Sequence, residues 1–388
     1  MLGSRYLIGL FGLLLLSSIS SAYTLFNNAL YCTDCTDCTN ALNNDTYNIT
    51  YLNATISGAA GTCISDPGLI DNRIFDCNNY TISGSGAGNG FFTSGELNAT
   101  VRGCNISGFL YGILISDNSH NCTVENCITY NNTNTGTFID SSSDVTVLNS
   151  LSYNNTNYGF RIRDSDDTEL DNATAYDNQN GFYLYNADRT LINNSASHNN
   201  IQHGIYITSV IGDSLNNTVK NTYSYNNGNN GFYLDTANTI RTVFDNCTAT
   251  NNTDDGFSIS SGDYSIINNS VANLSGRDGI RFANTGVIQS SIISTRSFLN
   301  EEIGINIQEG CNNDGLVNVS AYNNGNHGIY LSTGDNNVLA GYLGNPISAY
   351  DNNGSGIYLY KQTNILLDGN FPPFTGGIVV QSNLGGGL

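Results

Sequence analysis

The densest chemistry in this 388-residue sequence lies between Arg161 and His203. Arg161, Arg163, Asp164, Asp166 and Asp167 crowd into one stretch, Asp188 and Arg189 follow, and then His203. Such residues could act on sugar chains. Glycoside hydrolysis needs two carboxylates converging on one bond. Uronate elimination needs a cation to acidify the sugar acid and a base to remove its proton. If the protein is an enzyme, its catalytic set is therefore Arg161, Arg163, Asp164 and Asp167. Tyr183, Tyr206 and Tyr233 form a second pattern, an aromatic strip whose rings suit sugar faces and whose hydroxyls suit sugar edges. The competing account is a cross-strand ladder of tyrosines, and it is the preferred one. Asp144, Asp167 and Asp188 recur at similar spacing and could bind Ca2+, although solvated turn carboxylates are the simpler account. Cys32, Cys35 and Cys38 form a CxxCxxC run. With no His nearby it reads as part of a disulfide set rather than a metal site.

The elements that position these residues follow from composition and repetition. The formal net charge is −20, with two Lys in the whole chain, and it would repel nucleic-acid phosphates. Sixty-two Asn and 42 Gly, with few helix-favouring Lys and Glu, point to turns and strands. Residues 1–22 read as a secretory signal: Arg5, a short apolar run over 7–16, and the small residues Ser20, Ser21 and Ala22. That run is half the ~20 residues a spanning helix needs, so the expected product is secreted or at the cell surface (periplasmic in a two-membrane host) with no membrane span. Export makes disulfides the default for Cys63, Cys77, Cys104 and Cys127 as well. Cys77, Cys104 and Cys127 are 27 and 23 residues apart in similar contexts. One pair among them is expected, Cys104–Cys127 first, against the alternative that Cys merely fills a small-residue column. Cys247 and Cys311 are expected to be buried thiols.

A glycine, an Ile or Phe, any residue, then Leu, Ile or Phe recurs along the chain. It is GILI at Gly112, GTFI at Gly136, GFRI at Gly159, GFYL at Gly181, GIYI at Gly204 and GFYL at Gly231, and it continues to GIYL at Gly356. The spacing stays between 22 and 28 residues. Within each unit Phe and Leu alternate with Tyr in period two. A polar turn, a second strand with an Asn, and a Tyr-Asn-Asn corner follow. A helix-free unit of this size cannot bury its own apolar face, but stacked copies close a continuous interior. The fold class is therefore all-β: a single right-handed parallel β-helix of about 12 rungs at ~4.8 Å each. The expected organisation is a signal at 1–22, a disulfide-rich N-terminal cap at 23–76, the β-helix at 77–370 and a tail at 371–388.

The pattern NNxxxGIYL, a turn, then xxNNxxxxNN over about residues 77–368 resembles the parallel β-helix repeat of the pectate-lyase-like superfamily. It is most similar to the branch with NosD-like copper-accessory proteins and alginate epimerases. That resemblance implies the fold strongly and chemistry weakly. The polygalacturonase pattern of Asn-x-Asp, paired Asp, Gly-His-Gly and Arg-Ile-Lys is absent. So is the epimerase Asp-Pro-His-Asp motif, with Gly159-Phe160-Arg161-Ile162 in its place. A copper role would want His and Met ligands, and the chain has four His and one Met. No metal or other cofactor is expected, Ca2+ aside.

The resulting expectation is an exported structural or adhesive protein that contacts a polysaccharide or surface glycan, with Tyr183, Tyr206 and Tyr233 as ligand-binding residues. The alternative is a polysaccharide lyase, epimerase or glycosidase. Eighteen N-x-S/T sequons make it a candidate glycoprotein, with Asn53, Asn98, Asn131, Asn154, Asn251 and Asn353 as acceptors.

Overall fold

The computed structural model describes residues 23–66, 71–236, 238–283, 287–341, 346–363, 365–368 and 378–381. The signal at 1–22 and the double proline of the tail lie outside them. The chain winds as a parallel β-solenoid with three sheets running its length, of 16, 14 and 13 strands. Sheet 1 holds strands such as Thr146–Leu148, sheet 2 strands such as Leu151–Tyr153, and sheet 3 the glycine-initiated strands such as Tyr158–Arg163. The 13 strands of sheet 3 set the number of turns, one more than the repeat count suggests.

Alternation decides which side chains are inside. Phe182 and Leu184 are fully buried while Tyr183 between them faces out. Phe160, Phe182, Phe232 and Phe257 fill the interior, and Phe160–Phe182 and Phe232–Phe257 stack at 5.2 and 4.5 Å. Polar ladders join the turns as well. Asn132, Asn155, Asn178, Asn200, Asn227 and Asn252 are buried in one column. Each of the first five gives its backbone N–H and Nδ2 to the Oδ1 of the next, at 2.9–3.3 Å. A buried amide so bonded leaves no polar group stranded. The mid-repeat asparagines form an outer ladder at the corners, Asn172 Nδ2 donating to Asn149 Oδ1 and Asn246 Nδ2 to Asn221 Oδ1, both at 2.8 Å. Asn172 and Asn246 are exposed and Asn318 half-buried, and their φ values are 52°, 53° and 55°. Of the 42 described non-glycine residues with positive φ, 26 are Asn. The corners need the left-handed conformation that Asn tolerates best, which accounts for much of the asparagine content.

The N-terminal end differs from expectation in two ways. Parallel pairing begins with Ala29–Cys32 against Ile49–Leu52 and continues to Ile74–Asp76, well before residue 77. The end itself is covered by the helix Cys35–Leu42, whose Cys38, Ala41 and Leu42 are buried. Disulfides Cys32–Cys38 and Cys35–Cys63 tie that helix down. The third bridge is Cys77–Cys104, with Cα atoms 4.7 Å apart, and not Cys104–Cys127. The three cysteines occupy successive turns, so Cys104 has a neighbour on either side at bonding distance. Cys127, Cys247 and Cys311 are buried thiols, each pushed up to about 12 by burial.

Candidate functional site

Three outward positions on each sheet 3 strand form a grid: the residue before the repeat glycine, and those two and four after it. The column two after the glycine runs Leu114, Phe138, Arg161, Tyr183, Tyr206, Tyr233, Ser258, Arg281, Asn306, Tyr330, Tyr358 in continuous register. Not all of it is exposed: Phe138, Ser258 and Asn306 are closed over by their neighbours.

Tyr183, Tyr206 and Tyr233 do stand together, but not as a strip of open ring faces. Tyr206 and Tyr233 stack at 5.1 Å, Tyr158 and Tyr183 at 4.5 Å, and Tyr183 meets Tyr206 edge to face at 5.2 Å. At the spacing of parallel strands, rings in one column cover each other's faces, so this strip offers edges and hydroxyls. Tyr206 donates its hydroxyl hydrogen to Asp235 Oδ2 at 3.0 Å. Burial raises all three phenols, Tyr183 to about 12, so each stays a neutral hydroxyl.

The column before the glycine runs Asn180, His203, Asn230, Asp255, Asp278, Ile303, His327 and Ser355. It is a second ladder. Asn180 Oδ1 accepts the His203 N–H, His203 Nδ1 the Asn230 N–H, and Asn230 Oδ1 the Asp255 N–H, at 3.1, 3.4 and 3.0 Å. Asp255 Oδ1 then accepts the Asp278 N–H, Asp278 Oδ1 the Ile303 N–H, and His327 Nδ1 the Ser355 N–H. The signal was there: Asn, His, Asn, Asp and Asp precede five successive repeat glycines and, past Ile303, His precedes Gly328, and each of these six side chains can accept a backbone hydrogen. An imidazole accepting at Nδ1 carries its ring hydrogen on Nε2. Burial pushes His203 down to about 4 and also lowers His327, so both are neutral.

Asp255 and Asp278 sit on adjacent turns, fully buried, with Arg281 between them and solvent. Arg281 Nε lies 2.6 Å from Asp255 Oδ2, and Asn306 Nδ2 donates to Asp278 Oδ2 at 2.7 Å. Burial, with Asp278 and Asp254 adding to it and Arg281 opposing it, raises Asp255 to about 6. This second meeting of acids and bases, with Arg277 on Asp254 at 2.8 Å, went unseen in the sequence. Its partners are a turn apart and fall together only in register.

The Arg161–Asp167 stretch, in contrast, divides. Arg161 lies over Phe138, Tyr158 and Tyr183 on sheet 3. Arg163 holds Asp140 through two nitrogens, with Asp164 3.7 Å away. Asp167 turns into the next corner, where Arg189 Nε and Nη2 grip its carboxylate at 2.7 Å each and hold it below the usual carboxylate range. Asp188 is not in line with Asp144 and Asp167. Arg189 is, and Asp188 instead aligns with Asp166, its Oδ1 accepting the Leu215 N–H at 2.7 Å. A counter-charge thus occupies the column read as a Ca2+ site. The acceptor asparagines Asn53, Asn98, Asn131, Asn154, Asn251 and Asn353 are all exposed.

The family described as right-handed beta helix region matches residues 158–295 and 239–371, and the family described as periplasmic copper-binding protein (NosD) matches residues 38–215. No curated protein matches the chain in sequence. Among solved structures, the A-module of the Azotobacter vinelandii mannuronan C-5 epimerase AlgE6 is similar at TM-score 0.54 and 13% identity, over 90% of this chain and 94% of that one. The Dettilon tailspike protein is similar at 0.55 and 15%, over 80% and 62%. The periplasmic alginate epimerase AlgG is similar at 0.51 and 12%, over 74% and 77%. The copper implied by the NosD description does not suit the donors present. His120, His203 and His327 each accept a backbone N–H at Nδ1, so Nε2 holds the ring hydrogen, and His198 is stacked between Tyr176 and Tyr225. Among the described residues no three His, Cys, Asp or Glu side chains converge as a metal site. Repeat pattern, three-sheet winding and family match coincide over more than half the sequence, and on that ground the chain belongs to the family described as right-handed beta helix region.

Proposed function

We propose that the protein is exported and binds an extended polysaccharide along the outer face of sheet 3, as a glycan-contacting rod. The observation that carries this reading is the in-register group of Tyr183, Tyr206 and Tyr233 with His203, neutral donors and acceptors on a rigid sheet beside the Asp235 carboxylate. A periodic polymer matches a periodic surface, with one turn's contacts recurring on the next. The similarity to polysaccharide-acting β-helices supports the ligand class. The three disulfides support an oxidising compartment, and no helix among the described residues is long and apolar enough to cross a membrane. A net charge of −20 and Asp235 in the strip favour a neutral glycan over a polyuronate. A glycan array carrying neutral β-linked glucans and mannans beside alginate and pectate tests this. Retention of a neutral polymer, lost in Tyr206→Ser, is the expected result, and binding untouched by that change would overturn it.

A further inference from the structure

Sheet 3 repeats one constellation. His-Gly-Ile-Tyr occurs at 203–206 and again at 327–330, and each copy is followed one turn later by a tyrosine in the same column, Tyr233 and Tyr358. In the first copy the His203 ring lies 5.1 Å from Tyr206 and 4.6 Å from Tyr233, and the two tyrosines are 5.1 Å apart. In the second the corresponding separations are 5.8, 4.9 and 5.5 Å, all three pairs stacked. The histidine is fixed in the same way in both, Nδ1 accepting the N–H of Asn230 or Ser355. That leaves Nε2–H as a donor beside two phenol edges. Among the described turns no third strand combines these residues.

Register places the copies five turns apart, with Tyr233, Ser258, Arg281, Asn306 and Tyr330 following Tyr206 in the column. At parallel-strand spacing that is about 24 Å along the axis. The stretch between is polar rather than aromatic. Ser258, Arg281 and Asn306 are bound to one another's turns or to Asp255 and Asp278.

We propose that sheet 3 carries two equivalent glycan subsites, His203/Tyr206/Tyr233 and His327/Tyr330/Tyr358, which a single extended neutral polysaccharide engages together. The inference rests on the polysaccharide reading above and deepens it. Two sites on a rigid rod act as a length filter. A fragment too short to span them meets two independent weak sites, whereas a chain that spans them gains the second contact at high effective concentration, a factor of about 10² or more.

The test is titration calorimetry of the full chain with β-linked gluco- and manno-oligosaccharides, disaccharide and decasaccharide, beside oligomannuronate as the charged comparison. Expected are two sites per chain for the disaccharide, and one per chain for the decasaccharide with about a hundredfold tighter binding. Tyr206→Ser and Tyr358→Ser should each halve the disaccharide stoichiometry and remove the decasaccharide's advantage. Serine stands in this column at Ser258, so neither change strains the strand. As a readout independent of affinity, histidine-selective nitrogen labelling should show both His203 and His327 perturbed by the disaccharide. One site per chain, with Tyr358→Ser and the His327 signal both unaffected, overturns this inference and leaves the polysaccharide reading standing. No binding by any of these sugars overturns both.

Discussion

Asp314→Asn is expected to stabilise the protein, and increasingly so as pH rises. Asp314 is fully buried in an interior column that also holds Asn217 and Asn337. Its Oδ1 accepts the Ser290 N–H at 2.8 Å, while Oδ2 meets no donor. Burial, aided by Asp263 and opposed by the Ser290 N–H, raises its carboxyl to about 8 from the usual 3.8. The folded chain therefore keeps a proton that the unfolded chain releases above 3.8, and native stability falls as pH climbs from about 4 to 8. At 1.36 kcal/mol per pH unit, holding that proton costs at most about 4 kcal/mol at pH 7 and at most about 2 kcal/mol at pH 5. Asparagine has no such proton, and its Nδ2 could donate as Asn217 Nδ2 does to the Ala187 carbonyl at 2.8 Å. Urea midpoints at pH 5 and 7, with hydrogen exchange of the Ser290 and Gly315 amides, measure the difference. A variant no more stable at pH 7, or an advantage that fails to grow between the two pH values, would refute the reasoning.

Three further expectations follow the ladders and the bridges. Asn178→Ala strands the Asn155 N–H in the interior and removes one of the donors to the Ser152 carbonyl, and should cost about 2 kcal/mol or more in denaturation; a loss below about 1 kcal/mol would mean the turns relax around the gap. His203→Asn preserves the acceptor, as Asn180 and Asn230 do in the same column. The wild type resists protonation down to about 4, so it should lose up to about 3 kcal/mol between pH 6.5 and 4 that the variant keeps, visible as diverging melting curves on acidification and absent if the two run parallel. Peptide mapping without reduction should recover Cys77 joined to Cys104, and Cys104→Ser should cost about 2–4 kcal/mol; recovery of a Cys104–Cys127 peptide would reverse the assignment.

What could be read from the sequence was whatever one turn already contains. The glycine and its alternating Phe-Tyr-Leu give the turn length, the inward and outward faces and the parallel stacking, all of which stand in the structure. What could not be read lies between turns. Cys104 has equivalent neighbours above and below, so spacing alone cannot choose between Cys77 and Cys127. Asn172 and Asn178 are both strand-end asparagines, yet one makes a corner and the other an interior ladder, a difference that depends on which sheet each leaves. Asp255, Asp278 and Arg281 are separated by more than a full turn in part of their contacts and come together only in register. Tyr206 and Tyr233 were correctly placed side by side, but rung spacing turned their faces toward each other. The signal and the end of the tail fall outside the described residues.

All three bridges lie between Cys32 and Cys104, within the first turns of the rod, and among the described residues beyond Cys104 the turns are joined without a disulfide, by hydrogen bonds, ion pairs and packing. In a solenoid each turn touches only its neighbours, so the molecule has a polarity under load. Tension applied at its two ends should peel turns off one after another from the unbridged side, each yielding at similar force, and stop at the covalent block. The extended chain would then remain tethered to an intact seed from which the rod could rewind in a single direction.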